Sequence, residues 1–292
     1  MSPPTASNDP PPAIPSSTTA SSTQWSPQTI LSTLPQPPQP HTSSPLPFLH
    51  LLQRLKTTPR EGWRRFGLNN GESIADHMYR MAILTLLIPP SLRSSLDTNT
   101  CTRLAIVHDM AEALVGDITP VDGVSKAEKR RREGETMTLL CEDLLGKYEG
   151  GQAGREIKEL WWEYEDDLTE EAHFVHDVDK IELLLQMVEY ERDAEGRLDL
   201  GEFAWVAGRV TGGVCKGWAS EILKEREEFW RGKGRDVGEG GKVVGGGVEG
   251  TNGSAPPEAL KKGLEEYYRK NEGRNGSADA MAGQVNGAAP KS

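Results

Sequence analysis

The first 45 positions of this 292-residue chain contain no Lys or Arg. They are crowded instead with Pro, Ser and Thr, and such a segment buries too little apolar surface to offset chain entropy. Residues 1–45 are therefore expected to form a disordered tail. Long apolar runs are also missing: the longest, Met81 to Ile88, is too short to span a bilayer. The N-terminus has no basic stretch followed by an apolar one, which predicts no secretory signal, and it lacks the Arg of a mitochondrial transit peptide. Cysteine is scarce. Cys101, Cys141 and Cys215 are widely spaced, odd in number and without a CxxC pair, as expected of reduced thiols in an intracellular protein, cytoplasmic or nuclear. Positive charge is in deficit, with a net charge of -11. That argues against nucleic acid as the main partner, since phosphate-backbone binders usually carry a basic face. Small anionic substrates remain open, because a bound cation reverses the local field. No sustained apolar–polar alternation occurs, so the fold is expected to be all-α.

What is present divides the chain. Gly dominates 231–256, and 231–292 is expected to be a mostly disordered tail with a short helix at 257–270. One globular domain is left, 46–230. Order is expected to begin near Pro47, where Phe48, Leu51, Leu52 and Leu55 mark one helix face, ended by Pro59. Arg60-Glu61-Gly62-Trp63 reads as a short loop. Ser73 and Asp76 form a capping box for a helix from Ile74 to Ile88. The next helix starts near Asp97, carries Leu104, Val107, Ala111, Leu114 and Val115 inward, and stops at Gly116. Ser125 and Glu128 cap a long helix reaching about Leu145. Its basic run, Lys126, Lys129 and Arg130 to Arg132, is either a solvated face or a lure for an anion. Ile157, Leu160, Trp161 and Tyr164 mark a further helix. Another runs from Thr169 to Glu191, and a last one passes through Trp218, Ile222 and Phe229.

The stretch His108-Asp109-Met110-Ala111-Glu112, continuing to Asp117-Ile118-Thr119-Pro120, puts an imidazole and several carboxylates at the end of an apolar helix. Burying them is costly unless they bind something. A divalent cation accepts imidazole and carboxylate in one mixed shell. His77, in another apolar helix, is a natural companion. A lone histidine on an apolar face is more often a hydrogen-bonded core residue, and adjacent His and Asp diverge by about 100° around a helix. Spacing alone therefore leaves the metal reading and the structural reading balanced. Glu112 shares a face with His108 and is placed to take a proton from a metal-activated water, to ligate a second ion, or to orient a ligand. Asp117 either faces the same cavity or caps the turn around Thr119. A fourth ligand from His173, His176, Asp177 or Asp179 is not decided by the helical wheel, which places Asp177 closer to the apolar face.

The runs Pro59-Arg60-x-Gly62-Trp63, Glu72 to Ala82, His108 to Pro120, Lys126-x-x-Lys129-x-Arg131-Arg132-Glu133, Leu160-Trp161-x-Glu163-Tyr164-Glu165 and Phe174 to Glu191 together resemble the HD-domain metal-dependent phosphohydrolases. Within that family they are similar to the 5'-deoxynucleotidase branch of the HD domain-containing protein 2 type. The resemblance covers about 48–230. It implies an all-helical HD fold and a divalent metal cation (Mn, Co, Mg or Zn) held by His77, His108, Asp109 and Asp179, with Asp177 and His176 outside the site. It gives Glu112 the catalytic role and makes Glu112, Asp117 and the Ile118 carbonyl candidates for a second ion. Arg60 and Trp63 would line the nucleotide pocket, Asp117 and Pro120 flank the sugar, and Lys126 and Lys129 approach the phosphate. The implied reaction is hydrolysis of deoxyribonucleoside 5'-monophosphates by a homodimer that binds neither nucleic acid nor membrane. Another nucleotide substrate, triphosphate or cyclic, and a metal-holding interaction module are the competing readings.

Overall fold

The computed structural model describes residues 24–244. Residues 1–23, and the far part of the expected C-terminal tail with its helix at 257–270, lie outside the described residues. The fold is all-α, as the absence of alternation predicts. Among the described residues the only strands are two-residue ones, β1 (Asp236–Val237) and β2 (Val243–Val244), paired antiparallel. No helix among the described residues is long and apolar enough to cross a membrane.

The expected disorder of 1–45 does not extend over 24–45. Ser26 caps α1 (Pro27–Leu31) by accepting from Thr29 N, with Pro27 in the first turn, where a missing N–H costs nothing. Ile30, Leu31 and Leu34 then pack on the core. The basic run anchors this strap: Arg131 donates to the Trp25 carbonyl at 3.2 Å, and the Arg132 guanidinium lies 5.5 Å from the Trp25 ring. A composition argument misses such a strap because a few apolar points suffice when a partner surface waits for them.

Helix α2 (Leu46–Leu52) precedes α3 (Glu61–Arg64), so the expected loop at 60–63 is instead a one-turn helix. Helix α4 (Ile74–Leu86) begins at the predicted capping box, which is complete in both directions. Helix α5 (Thr98–Val107) is capped by Asp97, and the one-turn α6 (Glu112–Val115) follows after a break. Gly116 ends it at φ 77°, a conformation a residue with a Cβ adopts only with strain. Helix α7 (Lys126–Thr138) continues as a π-helical segment, Leu139–Leu144, which together span the single helix expected there. Helix α8 (Gln152–Asp166) crosses that segment so closely that a Cβ on Gly154 would collide with the Cys141 carbonyl.

Helix α9 (Glu170–Asp193) is the central pillar, and α10 (Gly213–Gly232) packs along it. Met81, Leu104, Leu114, Trp161, Val178 and Ile181 are at most 1% exposed and bind α4, α5, α6, α8 and α9 around one core. The Gly-rich stretch is ordered at least to 244. Arg226, buried with Glu191 and paired with the half-buried Asp199, donates to the Gly241 carbonyl, and Asp199 accepts from Val243 N. This ties the β1–β2 hairpin to the body and corrects the expected onset of disorder at 231.

Candidate metal centre

The capping box of α4 sets the first turn of that helix and so aims His77, which is 0% exposed, toward α9. Its ring lies 5.5 Å from that of His108. His108 and Asp109 meet there because the chain leaves the α-helix at this point. Glu112 N bonds to Asp109 O and Met110 N to Val107 O, both at 3.0 Å, which tightens the turn to an i to i−3 pattern. The His108 carbonyl, freed of its helical donor, accepts from the Trp161 indole at 3.1 Å. The divergence of neighbouring side chains on a regular helix is thereby overcome. Asp109 Oδ2 comes within 3.1 Å of His108 Nε2 and 3.8 Å of His77 Nε2.

From α9, Asp179 places Oδ1 3.2 Å from His77 Nε2. Asp177, two residues earlier, points elsewhere. It is 2% exposed and accepts from Thr211 N, Thr211 Oγ1 and Gly212 N, anchoring the entry to α10. A helical wheel ranks apolar exposure and cannot see that a loop 34 residues away claims Asp177.

Arg60 arrives through a short bridge. Arg60 N bonds to Glu72 O, Ile74 N bonds to Thr58 O, and Asp117 Oδ2 accepts from Glu61 N at 2.8 Å. The Arg60 guanidinium then sits 3.3 Å from Asp109 and 3.9 Å from Asp179.

Three buried polar atoms converge here without a hydrogen-bond partner: His77 Nε2, His108 Nε2 and Glu112 Oε2. On both rings the other nitrogen is engaged, Nδ1 of His77 with Glu182 Oε2 at 2.6 Å and Nδ1 of His108 with Ala105 O at 3.0 Å. The acceptors fix the protons on Nδ1 and turn both bare Nε2 lone pairs toward Asp109. His77, His108 and Asp109 each offer an atom within 4.8 Å of the others. Orphaned buried nitrogens facing carboxylates fit a divalent cation in donor type, charge and orientation.

The field agrees. Burial and Arg60 push His77 down, yet Glu182 and Asp179 carry it up to about 10, so the ring sits in a negative field that favours a cation. Against the upward push of burial, neighbouring His108, Arg60 and His77 keep Asp109 well below the usual carboxylate range. Likewise, Asp179 is held low by His77 and Arg60. Glu112 moves the other way: burial first, then the Asp109 and Asp117 charges, raises its carboxyl well above the ordinary range.

The remaining expected residues are less uniform. Trp63 is 2% exposed and packs edge-on to Tyr190 and against Phe203, while its indole donates to Glu72 at 2.8 Å. Asp117, Ile118 and Pro120 are half-buried beyond the glycine stop. Asp122, not Asp117, accepts from Thr119 N, so Asp117 is not the cap of that turn. Lys129 stands 3.9 Å from Glu112 and 3.5 Å from Glu133, whereas Lys126 is exposed at the start of α7. Arg130 and Arg131 are spent on Asp166, Glu128 and Glu135, so most of the basic run is an ion-paired helix face.

Sequence reasoning gave no role to Glu182 and Glu72, which flank His77, or to Arg80, which holds Glu182. A signal existed. His77 and Arg80 on one helix, and Asp179 and Glu182 on another, share an i, i+3 spacing that lays two complementary pairs side by side.

Residues 52–216 match the HD domain. A 5'-deoxynucleotidase of Schizosaccharomyces pombe is 50% identical over 185 residues, covering 63% of this chain and 91% of the relative. A 5'-deoxynucleotidase of Saccharomyces cerevisiae is 40% identical over 213 residues, covering 71% and 87%. Among solved structures, a conserved hypothetical protein from Pyrococcus furiosus superposes with a TM-score of 0.51 at 28% identity, covering 63% of this chain and 99% of that one. With the matched segment containing every side chain of the His77–His108–Asp109–Asp179 cluster, the chain belongs to the HD-domain family.

Proposed function

We propose that this chain is a divalent-cation-dependent 5'-deoxynucleotidase that cleaves deoxyribonucleoside 5'-monophosphates to deoxynucleoside and phosphate. The observation that carries the reading is the convergence of His77 Nε2, His108 Nε2 and Glu112 Oε2, all buried and unpaired, beside Asp109. The names of the fungal relatives support the substrate class. His77, His108, Asp109 and Asp179 would hold the cation, with Glu112, Asp117 and the Ile118 carbonyl available to a second. Mn, Co and Zn suit this mixed imidazole–carboxylate set better than the oxygen-preferring Mg, and all four are candidates.

A bound cation supplies a Lewis acid that lowers the pKa of water and offsets charge on the phosphate. The chain supplies the rest. Glu112 Oε2, the free oxygen of a buried carboxylate, accepts the proton of the attacking water and returns it to the departing 5'-oxygen. Arg60, held by Asp109 and Asp179, presents its remaining donors to the phosphate oxygens. Lys129 balances the charge on Glu112 and stands near the same oxygens, and Lys126 adds positive potential at the mouth. Asp117 and Pro120 flank the sugar. Packing against a missing 2'-hydroxyl discriminates only modestly, so slow ribonucleotide turnover is expected.

The catalytic domain is taken as 46–230, and the unit as a homodimer. An exposed apolar stripe on α4, Tyr79, Ile83 and Leu86, continued by Leu87 at its end, supports association and is testable by light scattering. The three buried, unpaired cysteines support an intracellular setting.

The test is phosphate release from each deoxyribonucleoside and ribonucleoside 5'-monophosphate after metal stripping and re-addition of Mn, Co, Mg or Zn. Deoxynucleotides are expected to turn over in a metal-dependent way. No phosphate from any deoxynucleotide with any of the four ions would refute the assignment.

A further inference from the structure

Behind His77, on the side away from Asp109, lies a second cluster that the hydrolytic reading does not use. Glu182 is 0% exposed, and its two oxygens have separate tasks. Oε2 accepts from His77 Nδ1 at 2.6 Å. Oε1 accepts from Arg80 Nε at 2.8 Å and lies 2.6 Å from Arg80 Nη2. Arg80 reaches Glu182 from the outer part of α4 and is itself held by Gln186, at 2.8 Å, and Glu189, one and two turns further along α9. The guanidinium therefore claims Oε1 and leaves only Oε2 for the imidazole. With Arg80 donating twice to one oxygen, the other oxygen serves as the acceptor for the imidazole N–H.

We propose that Glu182 is a positioning residue for the cation site, with Arg80 as the lock that dictates which of its atoms faces His77. The inference rests on the reading of His77 as a metal ligand. The Arg80–Glu182 pair keeps the His77 proton on Nδ1, orients the ring, and leaves Nε2 as a lone pair aimed at Asp109 and Asp179. A partner of this kind is commonly worth 10–100-fold in metal affinity.

The donor–acceptor logic yields an unusual variant series. In Glu182→Gln the amide is nearly isosteric, but Arg80 still demands an oxygen at the Oε1 position. The amide NH2 then faces Nδ1, which has to give up its proton, and the lone pair on Nε2 is lost. Removing the lock as well, in Arg80→Met/Glu182→Gln, lets the amide turn its oxygen toward Nδ1–H. The double variant is thus expected to bind the ion more tightly than Glu182→Gln alone, although it removes more contacts. A purely structural role gives the opposite, with losses that accumulate.

The experiment measures Mn(II) and Zn(II) affinity by chelator competition on the full chain for wild type, Arg80→Met, Glu182→Gln and the double variant, with circular dichroism on each. The expected order of affinity is wild type, Arg80→Met, double variant, Glu182→Gln, with Glu182→Gln weakened about 10–100-fold. Wild-type affinity in Glu182→Gln, or a double variant no tighter than Glu182→Gln, overturns the inference while leaving the metal centre standing. A wild type that binds neither ion overturns both. If Glu182→Gln does not fold, nitrogen NMR of the Zn-loaded wild type decides. A protonated His77 Nδ1 is expected, and an unprotonated one refutes the role of Glu182.

Discussion

His77 and His108 meet edge to face with ring centroids 5.5 Å apart, each with Nδ1 tied to an acceptor and Nε2 bare. One acceptor is a carboxylate and the other a backbone carbonyl, so both rings are held in the same tautomer by unrelated means. A pair of core histidines packed only for volume would have no reason to leave both Nε2 atoms buried and unpaired.

Asp109 contacts both rings and Arg60. Asp109→Ala is expected to abolish turnover and to weaken metal binding by more than the roughly 10–100-fold of an outer partner. Colorimetric phosphate release and chelator competition on one preparation check this. Full activity in a variant that has lost its metal would sink the proposed centre.

Glu112→Gln should lower kcat by about 10²–10⁴, the usual worth of a positioned proton acceptor, with little change in metal affinity if Glu112 serves only the proton. A parallel loss of metal would reassign Glu112 to the ion. Titration with Mn(II) separates the two.

Asp177 and Asp179 should behave as opposites. Asp177→Ala orphans Thr211 N and Gly212 N and is expected to cost about 1–3 kcal/mol in urea unfolding, with metal affinity kept. Asp179→Ala should lose the metal and keep most of its stability. A reversal of this pattern would show that the ligand on α9 is misassigned.

Glu133, buried near Lys129, is pushed up to about 7, with burial the largest cause. Its raised pKa means that the folded state binds a proton the unfolded chain has already released. Stability from this group is full below the ordinary glutamate value of 4.5 and is lost as pH rises through about 7. Stability of Glu133→Gln relative to wild type should therefore climb across that window, by at most about 3 kcal/mol. Urea melts of the metal-free proteins at pH 5 and pH 8 measure it. A constant difference would mean that Glu133 does not titrate there.

Burial pushes the thiols of Cys101, Cys141 and Cys215 each up to about 12. Native protein should leave Ellman's reagent unreacted at pH 8, and denatured protein should release the full complement of three thiols. Prompt reaction of any native thiol would contradict the packing around it.

Much of this architecture was readable before any coordinates. The box at Ser73 and Asp76, the helix starts near Asp97 and Thr169 and the stop at Gly116 are local chemistry, fixed by residues within a turn or two, and the structure adds that Asp97 and Thr169 are themselves the caps. The strap at 24–45 was not readable, because Trp25 is held by Arg131 and Arg132, more than a hundred residues distant. The choice of Asp179 rested on family resemblance, since periodicity favoured Asp177.

By itself the sequence determined the helical class, the helix starts and the supply of imidazoles and carboxylates, since each follows from spacing within one or two turns. Tertiary structure alone decided how those groups meet. It seats the Trp161 indole on the His108 carbonyl where the helix ends, takes Asp177 for the α10 entry, and sets Glu182 and Arg80 behind His77. Such contacts join residues 34 to 105 positions apart, and an unpaired donor or acceptor carries no mark in the sequence of the partner that will satisfy it.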